Sequence, residues 1–477
     1  MPELFIDGRP LQAENGQTVI EVARAHGIDI PHFCWHPALS VSGSCRLCMV
    51  EVEGRGLDIA CNLPVADGMR VSTMSPDVQR RRREMIELTL LNHPVDCGIC
   101  DKAGECTLQD YHYEHNGRPS TSIDAKVHAT KFHALSPRIV LDNERCVLCS
   151  RCVRFTHEVS GSHGLGIVQR GDASLVRATE DGAFDRDAYS DNVIDLCPVG
   201  ALLSRATLYQ ARVWYLQPTR SVCPGCERGC AVDLWHRKPE WRLRELDARQ
   251  NRAIVRVTPA GSPDDGRWIC NKGRDLPAYF GRRRALHASV DGEPAPLASA
   301  LAAARDIVSA SRRIVVLVSS FASNEELDAL ESALGERIEA YVKRDHRPVP
   351  GEIVQDDLLI RPDKNPNRTG ALARFPAFDE TVRVDASADT LIVWGEGFDT
   401  STVAPGTRLI VLGAFESDRP LRAGVFIPIS LQTERDGHYT NFEGRVGAFS
   451  ACFDKPAGVA HASEVFAAIA ERIGVAA

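Results

Sequence analysis

Four side chains that bind soft metals stand close together in the stretch LNHPVDCGICDKAGEC, residues 91–106. They are separated by three, two and five residues, and they are His93, Cys97, Cys100 and Cys106. Three thiolates and one imidazole can hold a metal centre, and thiolate-rich sets favour zinc or iron–sulfur clusters. A lone histidine is usually structural, but its place four residues before a close thiolate pair favours a ligand role. The other cysteines must decide between zinc and iron.

Cysteine is the unusual residue of this 477-residue chain. Of its 16 cysteines, all except Cys452 lie between Cys34 and Cys270. We expect no secretory signal in the N-terminal sequence MPELFIDGRP and no membrane span, hence a cytosolic compartment that disfavours disulfides. Pairs two residues apart suit metal ligation instead. The net charge of −8 gives no sign of nucleic-acid binding, and the solitary Cys452 is expected to be a small buried hydrophobe.

A second set precedes the first in the chain, with ten, two and twelve residues between its members Cys34, Cys45, Cys48 and Cys61. Plant-type two-iron ferredoxins use a loop cysteine, a close pair and a distant fourth, although their first gap is shorter. Gly43 and Ser44 are small enough to let backbone N–H groups approach cluster sulfurs. Zinc on the same thiolates is the alternative, but structural zinc sites usually use two close pairs.

A third set has the most specific spacing, because Cys146, Cys149 and Cys152 are two residues apart each time and Cys197 precedes a proline. Bacterial ferredoxins use such a triplet with a fourth cysteine before proline that ligates the other cluster. Where a two-cluster ferredoxin would have its other four cysteines, this chain has Thr156, Asp187, Ser190 and Val193. The chain therefore has three ligands of the first run and one ligand of the second. Together they predict a single four-iron site.

A fourth set consists of Cys223, Cys226, Cys230 and Cys270, with two, three and 39 residues between successive members. A close pair with two further thiolates can hold either a cluster or a structural zinc ion. Trp268 and Ile269, beside Cys270, could shield a cluster from solvent or simply belong to the core. The choice between iron and zinc stays open for this set.

The elements around the first two sets follow from local signals. Asp7-Gly8 between apolar residues predicts a hairpin, residues 18–26 have helical spacing with Gly27 as a C-terminal cap, and strands are expected at 48–52 and 69–71. Residues 75–92 predict a helix that ends near His93, because Pro94 disfavours helical geometry before it. Arg80–Arg83 would lie mostly on its solvated faces rather than form a docking patch.

After about residue 273 the sequence alternates between helical and strand patterns. Helices are expected at 297–309 and around 327–334, the latter opened by a Ser323/Glu326 capping box. Apolar strands are expected at 314–318, 390–394 and 409–412. This alternation predicts an α/β layer with a parallel sheet. Gly395-Glu396-Gly397 lacks the third glycine of a dinucleotide fingerprint and is interpreted as a turn, and residues 362–370 as a loop.

Four segments, residues 91–106, 145–152, 192–202 (NVIDLCPVGAL) and 269–274 (ICNKGR), resemble the G-type iron–sulfur subunit of proton-translocating NADH:quinone oxidoreductase, respiratory complex I. The resemblance covers residues 1 to about 275. The tail is similar to the family more loosely, through six positions of the stretch ERDGHYTNFEGR: Glu434, Gly437, Asn441, Glu443, Gly444 and Arg445.

The resemblance implies an α+β multidomain chain with five parts. They are a two-iron ferredoxin-like domain of β-grasp type (1–77), a His-Cys₃ four-iron domain (78–120), a bacterial-ferredoxin-like four-iron domain (137–213), a small four-cysteine cluster domain (216–272) and an α/β region like a truncated molybdopterin oxidoreductase (273–477).

The cofactors implied are one two-iron cluster and two to three four-iron clusters, without molybdopterin. The implied two-iron ligands are Cys34, Cys45, Cys48 and Cys61. The implied four-iron ligands are His93, Cys97, Cys100 and Cys106, then Cys146, Cys149, Cys152 and Cys197, and in some bacterial relatives a set matching Cys223, Cys226, Cys230 and Cys270.

By this resemblance the chain is an electron-relay subunit with no catalytic residue of its own. The implied partners are a flavin-bearing, NADH-oxidising subunit and quinone-side iron–sulfur subunits, with the complex on the inner face of the cell membrane. About 200 residues follow Cys270, fewer than in most relatives, so the α/β region is expected to be truncated. That length also argues against a molybdenum enzyme.

Two other functions remain open. The diaphorase part of an NAD-reducing hydrogenase or formate dehydrogenase resembles the same N-terminal region. A zinc-rich scaffold is the alternative of a different class, although a split ferredoxin pattern would then have no purpose. Fifteen cysteines and His93 fill four sites of four ligands, which leaves none for a separate catalytic metal.

Overall fold

The computed structural model describes residues 1–129, 131–242, 248–262, 267–379, 388–417 and 423–471. The chain divides into two compact units. The first comprises residues Met1–Leu216 and Gly261–Asn271, and the second comprises Gln217–Ala260 and Lys272–Ala477. The mixture of helices, antiparallel sheets and one largely parallel sheet agrees with the expected α+β class.

The first unit begins with a five-stranded sheet whose outer strand Arg9–Gln12 is followed across the sheet by Glu3–Ile6, Met69–Ser72, Met49–Val52 and Gly56–Ile59. Glu3–Ile6 and Met69–Ser72, the first and last of these strands in the chain, pair in parallel, and the other neighbours pair antiparallel. The helix Val19–Ala25 buries its apolar face in the same core as this sheet. The predicted hairpin, helix and two strands are thereby confirmed.

The helix Pro76–Leu90 begins with Ser75, whose side chain accepts a hydrogen bond from Val78 N–H at 3.3 Å. Val78, Arg82 and Ile86 are its buried residues. The expectation that the arginine run lies on solvated faces is wrong for Arg82, which is 1% exposed. The reason is periodicity, since residues four apart share one face of a helix and Arg82 stands between Val78 and Ile86.

The remainder of the first unit is built from short elements that carry the other cysteines. Its helices are Thr107–Tyr111, a wider helical turn His112–Asn116, Arg151–Glu158, Ala183–Arg186 and Asn192–Leu196. Its strands form a three-stranded sheet, Leu202–Ser204, Ile139–Asp142 and Phe132–Ala134 in that order, and a hairpin, Leu165–Val168 with Leu175–Ala178.

The second unit contains a seven-stranded sheet. Its strands run in the order Glu293–Ala295, Ala288–Val290, Val425–Pro428, Arg408–Gly413, Thr390–Trp394, Ile314–Val318 and Ile338–Val342. The last five are mutually parallel, which confirms the predicted parallel sheet. Gly395 and Gly397 follow one of these strands with φ of 82° and 84°, in the left-handed region that suits the predicted turn.

Helices cover this sheet, chiefly Leu297–Ser309, Asn324–Leu334 and Ala462–Ala470, whose apolar residues share its core. The predicted Ser323/Glu326 capping box is present. The other helices are Ala248–Asn251, Asn271–Arg274, Leu276–Phe280 and Arg368–Leu372. The remaining strands are Leu216–Val222, Ala231–Arg237 and Ile254–Pro259 in one sheet, and the hairpin Gly437–Thr440 with Val446–Phe449. Cys452 is buried, as predicted.

No helix in the described ranges is both long enough and apolar enough to cross a membrane.

Candidate metal centres

The cysteines expected to bind a two-iron cluster gather beside the first sheet. Cys34 and Cys45 lie on the loops that follow the first helix, and their sulfurs are 3.4 Å apart. Cys48 directly precedes the strand Met49–Val52, and Cys61 lies in the turn Ala60–Asn62. The amide of Ala60 donates to the carbonyl of Cys48 at 2.9 Å, which holds these two segments side by side.

These thiols influence one another's ionisation. Hydrogen bonds from the Cys45 thiol, against the cost of burial, lower the pKa of Cys34 to about 5, and Ser44 also donates to this sulfur. A hydrogen bond with Cys61 and burial raise the pKa of Cys48. The four sulfurs therefore stand as two close pairs, and a positive centre would favour all four as thiolates. The donation from Ser44 agrees with the expectation that small residues here allow approach to the sulfurs.

The stretch around His93 forms a series of tight turns after the helix Pro76–Leu90. Amide donations from Ile99 to Asp96, from Cys100 to Cys97 and from Ala103 to Cys100 measure 2.9, 3.4 and 3.0 Å between nitrogen and oxygen. Cys106 then directly precedes the helix Thr107–Tyr111. These short-range hydrogen bonds fold the loop into successive tight turns between its ligand residues.

Exposure differs among the four expected ligands of this loop. Cys100 and Cys106 are buried, whereas Cys97 is exposed. Burial, together with the positive charges of Arg145 and Lys126, lowers the pKa of His93 to about 4. The imidazole is therefore neutral near pH 7, which is the form that can ligate a metal. Burial raises the pKa of Cys106 to about 11, so a thiolate there needs a compensating cation.

Cys146, Cys149, Cys152 and Cys197 line one small cavity of about 20 Å³. Apolar side chains make up most of the remaining wall. Burial first, and then the negative charge of Cys197, raise the pKa of Cys146 to about 12 and that of Cys149 to about 11. Burial also raises the pKa of Cys152. A cation among these sulfurs, such as a metal cluster would supply, would favour their thiolate form.

The backbone around this cavity is shaped for close approach to sulfur. Leu148 and Ser150 adopt φ of 51° and 59°, in the left-handed region, and the amide of Leu148 donates to Cys146 Sγ at 3.4 Å. The helix Arg151–Glu158 then carries Cys152 in its first turn. Amide donation to a cluster ligand is one of the devices that set cluster potential.

The positions where a second ferredoxin cluster would have cysteines hold a polar network instead. Asp187 accepts from the hydroxyls of Ser160 and Ser162 at 2.6 and 2.7 Å. Ser190 Oγ accepts from Asn271 Nδ2 at 3.0 Å, and Thr156 donates to the Val153 carbonyl at 2.9 Å. These polar groups occupy the volume with satisfied hydrogen bonds.

Within the described ranges, no three His, Cys, Asp or Glu side chains surround one point closely enough to hold a single metal ion. A mononuclear zinc site needs its sulfurs about 2.3 Å from one centre. The soft ligands of the three sets in the first unit suit iron–sulfur clusters as well as zinc.

The fourth set is divided between the two units. Cys223, Cys226 and Cys230 lie in the second unit, on the connection between the strands Leu216–Val222 and Ala231–Arg237, and Cys270 belongs to the first. The amide of Cys223 donates to the carbonyl of Cys230 at 2.8 Å, which closes this connection into a turn. Both cluster and zinc remain predictions for this set.

The contacts that two arginines make beside the expected ligands were missed in the sequence. Arg154 donates to the backbone carbonyls of Cys34 and Ser40, and to that of Cys149 at 3.3 Å. It thus joins the loop of one set to the loop of another. Arg145 is 1% exposed. The sequence did indicate them by position, because both arginines lie within two residues of the cysteine triplet in RCVLCSRCVR.

Three family models match the first unit. Residues 2–76 match a 2Fe-2S iron-sulfur cluster binding domain, and residues 82–120 match the NADH-ubiquinone oxidoreductase-G iron-sulfur binding region. Residues 136–203 match the ferredoxin-like domain of NADH-quinone oxidoreductase subunit 3. The three segments contain three of the four predicted ligand sets.

Similar proteins carry related names. The G-type NADH-quinone oxidoreductase subunit of Streptomyces coelicolor is 37% identical over 319 residues, which are 65% of this chain and 36% of that protein. A second G-type subunit, from Rhizobium meliloti, is 42% identical over 50% of this chain and 28% of its own length. The alpha subunit of a Geobacter sulfurreducens NADPH-Fe(3+) oxidoreductase is 35% identical over 57% and 31%.

The chain spans only 28–36% of the length of these relatives. Among solved structures, a chain of an NAD⁺-reducing NiFe hydrogenase in the H₂-reduced state is 36% identical. That similarity covers 44% of this chain and 91% of the hydrogenase chain, with a TM-score of 0.40. The three matched domains and the named relatives agree: over its iron–sulfur region the chain is similar to G-type NADH-quinone oxidoreductase subunits.

Proposed function

We propose that this chain is an iron–sulfur electron-relay subunit of an NADH:quinone oxidoreductase, passing electrons from a flavin-bearing subunit toward quinone. The observation that carries the proposal is the gathering of three thiolate-rich sets in one compact unit, with polypeptide contacts leading from set to set. The clusters, when bound, supply reversible one-electron transfer. The protein's own residues hold them, exclude water and fix their spacing.

The proposed ligands follow the predicted sets. Cys34, Cys45, Cys48 and Cys61 would hold a two-iron cluster. Four-iron clusters would be held by His93, Cys97, Cys100 and Cys106, and by Cys146, Cys149, Cys152 and Cys197. A further four-iron cluster or a zinc ion would be held by Cys223, Cys226, Cys230 and Cys270.

Contacts between the sets support a relay. Arg154 joins the backbone of Cys34 to that of Cys149, and the Pro198 carbonyl accepts from the Thr107 amide at 3.0 Å. Pro198 follows one proposed ligand and Thr107 follows another. The third set is thus linked to the first through the Arg154 side chain and to the second through backbone, which supports its place between them in space.

The five domains implied by the family resemblance are proposed with their boundaries, including a molybdopterin-oxidoreductase-like α/β region at 273–477. Ion pairs support a region without that cofactor, because they occupy the carboxyl edge of the parallel sheet. Lys343 lies 3.0 Å from Asp345, and Arg282 lies 2.5 Å from Glu396. Ser319 also donates to Asp345 at 2.9 Å.

The partners proposed are the flavin-bearing subunit and the quinone-side iron–sulfur subunits of the same complex, held peripherally on the inner face of the cell membrane. The relatives named as subunits of such oxidoreductases support this assignment. The surface at Cys97 supports it as well. Val95 and Ile99, on either side of this proposed ligand, are 87% and 55% exposed, and a partner covering them would also shield the cluster.

Anaerobic metal and sulfide analysis of the purified chain tests the relay against a scaffold. Full loading predicts about 14 irons per chain, and zinc at the fourth set predicts about 10 irons with one zinc. Mainly zinc without acid-labile sulfide would overturn the relay. The diaphorase alternative is tested by the subunits that co-purify, since it requires hydrogenase or formate dehydrogenase subunits in place of membrane proton-channel subunits.

A further inference from the structure

Arg145 is a buried cation. Its backbone directly precedes the Cys146 set, but its side chain lies beside the loop of the His93 set. It directly precedes Cys146 in the sequence, and its guanidinium is almost fully buried. Nη2 lies 3.0 Å from Asp96 Oδ2, and Nε lies 3.1 Å from Asp142 Oδ2. Asp96 precedes Cys97, so the side chain of Arg145 reaches into the loop of the His93 set. Burying a guanidinium is costly, which calls for a compensating role.

The backbone of Gly200 shows how close Arg145 stands to this set. A Cβ placed on Gly200 would overlap Cys100 Sγ and would lie 3.6 Å from Arg145 Cδ. Cys100 and Arg145 therefore both lie beside one point on the chain. Because both are also buried, little water separates the cation from the sulfur.

Charged side chains surround the buried guanidinium of Arg145. Two carboxylates face it, those of Asp96 and Asp142. Asp96 is shared with Lys131, which also contacts Glu144, so the charge of Asp96 is divided between two cations.

We propose that Arg145 is a positioning residue whose fixed positive charge raises the midpoint potential of the cluster on His93, Cys97, Cys100 and Cys106. The inference rests on the proposed function, which places a cluster there. Reduction adds one electron to this cluster, and a nearby buried cation stabilises the added negative charge. Net charge near a cluster is among the factors that set its potential.

The test is an EPR-monitored redox titration, with mediators, of the fully loaded protein in its complex. Arg145→Met keeps the length of the side chain and removes its charge. We expect the reduction equilibrium constant of the His93 cluster to fall by about tenfold, a midpoint lower by about 59 mV for one electron. Arg145→Lys keeps the charge and should restore most of that loss. Arg82→Met removes another buried guanidinium, beside the two-iron set. It should leave the midpoint potential of the His93 cluster unchanged.

Asp96→Asn supplies a second arm that does not depend on removing the arginine. It deletes an anion that faces Arg145, so the midpoint of the same cluster should rise. An unchanged midpoint in loaded Arg145→Met, or equal shifts in the Met and Lys variants, would overturn the charge effect. If Arg145→Met loses the cluster, the absence of a rise in Asp96→Asn overturns it. Failure of the parent protein to show a His93 cluster would instead refute the proposed function.

Discussion

Gly200 offers a sharp test of how the two proposed four-iron loops fit together. It stands three residues after Cys197, a proposed ligand of one loop, and its backbone packs on Cys100, a proposed ligand of the other. In Gly200→Ala the new Cβ would overlap Cys100 Sγ and approach Lys102 Cβ to 3.2 Å. Lys102 can yield at the end of its side chain, but its Cβ is tied to the backbone. The clash must therefore be relieved by moving the sulfur or the Gly200 segment.

The expected cost follows from overpacking a buried contact, which is typically about 1–3 kcal/mol. Because a thiolate bonded to iron cannot rotate away freely, part of this cost should appear as weaker binding of the His93 cluster. A loss of about 1.4 kcal/mol is a tenfold change in an equilibrium constant. In a folded unit of this size each kcal/mol also lowers Tm by about 2–4 °C.

The assay is iron and acid-labile sulfide per chain, together with the EPR signal of each cluster after anaerobic purification. We expect Gly200→Ala to lose the His93 cluster first and to keep the two-iron cluster. Gly98→Ala is the matched control in the same loop, because a Cβ there meets nothing within 4 Å. Loading of Gly200→Ala equal to that of Gly98→Ala, with an unchanged EPR signal, would refute the contact as a constraint on the cluster.

Further predictions concern charge at the ligands and stability of the second unit. His93→Cys exchanges a neutral imidazole for a thiolate and should lower the midpoint of its cluster in an EPR redox titration; an unchanged midpoint would argue against imidazole ligation. Glu434→Gln should destabilise the second unit by roughly 2–3 kcal/mol in a thermal unfolding experiment, because Glu434 Oε2 lies 2.7 Å from Arg284, whose side chain is mostly buried. Asp328→Asn is the control, because the side chain of Asp328 is 59% exposed where it pairs with Arg374. This substitution should cost at most about 1 kcal/mol. Ser323→Ala should cost about 1 kcal/mol through loss of the N-cap of Asn324–Leu334, and a similar Tm to the parent would contradict it.

Much of the local structure could be predicted from the sequence because its causes are local. Strand alternation indicated Met49–Val52, an apolar run indicated Ile314–Val318, and the Ser323/Glu326 capping box marked the start of its helix. The order of strands in the seven-stranded sheet could not be predicted in this way. It depends on pairings between residues far apart in the chain, such as Val425–Pro428 beside Ala288–Val290.

The ligand sets were predicted from spacing, but their surroundings depend on folding. The burial of Arg82 could have been inferred from its helical register with Val78 and Ile86, yet four consecutive arginines favoured a solvated face. The place of Arg145 could not be inferred at all, since its partner Asp96 lies 49 residues away in the chain. Gly200 carries no side chain, so only the fold shows what its backbone touches.

Arginines at the borders of the sets also suggest how thiolate sets can be packed close together. Clusters on cysteine thiolates are anionic, and neighbouring anions in a poorly hydrated interior would repel one another. Each set of the first unit has a guanidinium at its border, namely Arg82 at the Met49 carbonyl after Cys48, Arg145 at Cys100 and Arg154 at Cys34 and Cys149. Two of these side chains reach from one set to the next. If the proposed clusters are bound, the cations that offset this repulsion also connect the loops of different sets, so charge compensation and the spacing of the proposed relay would be provided by the same residues.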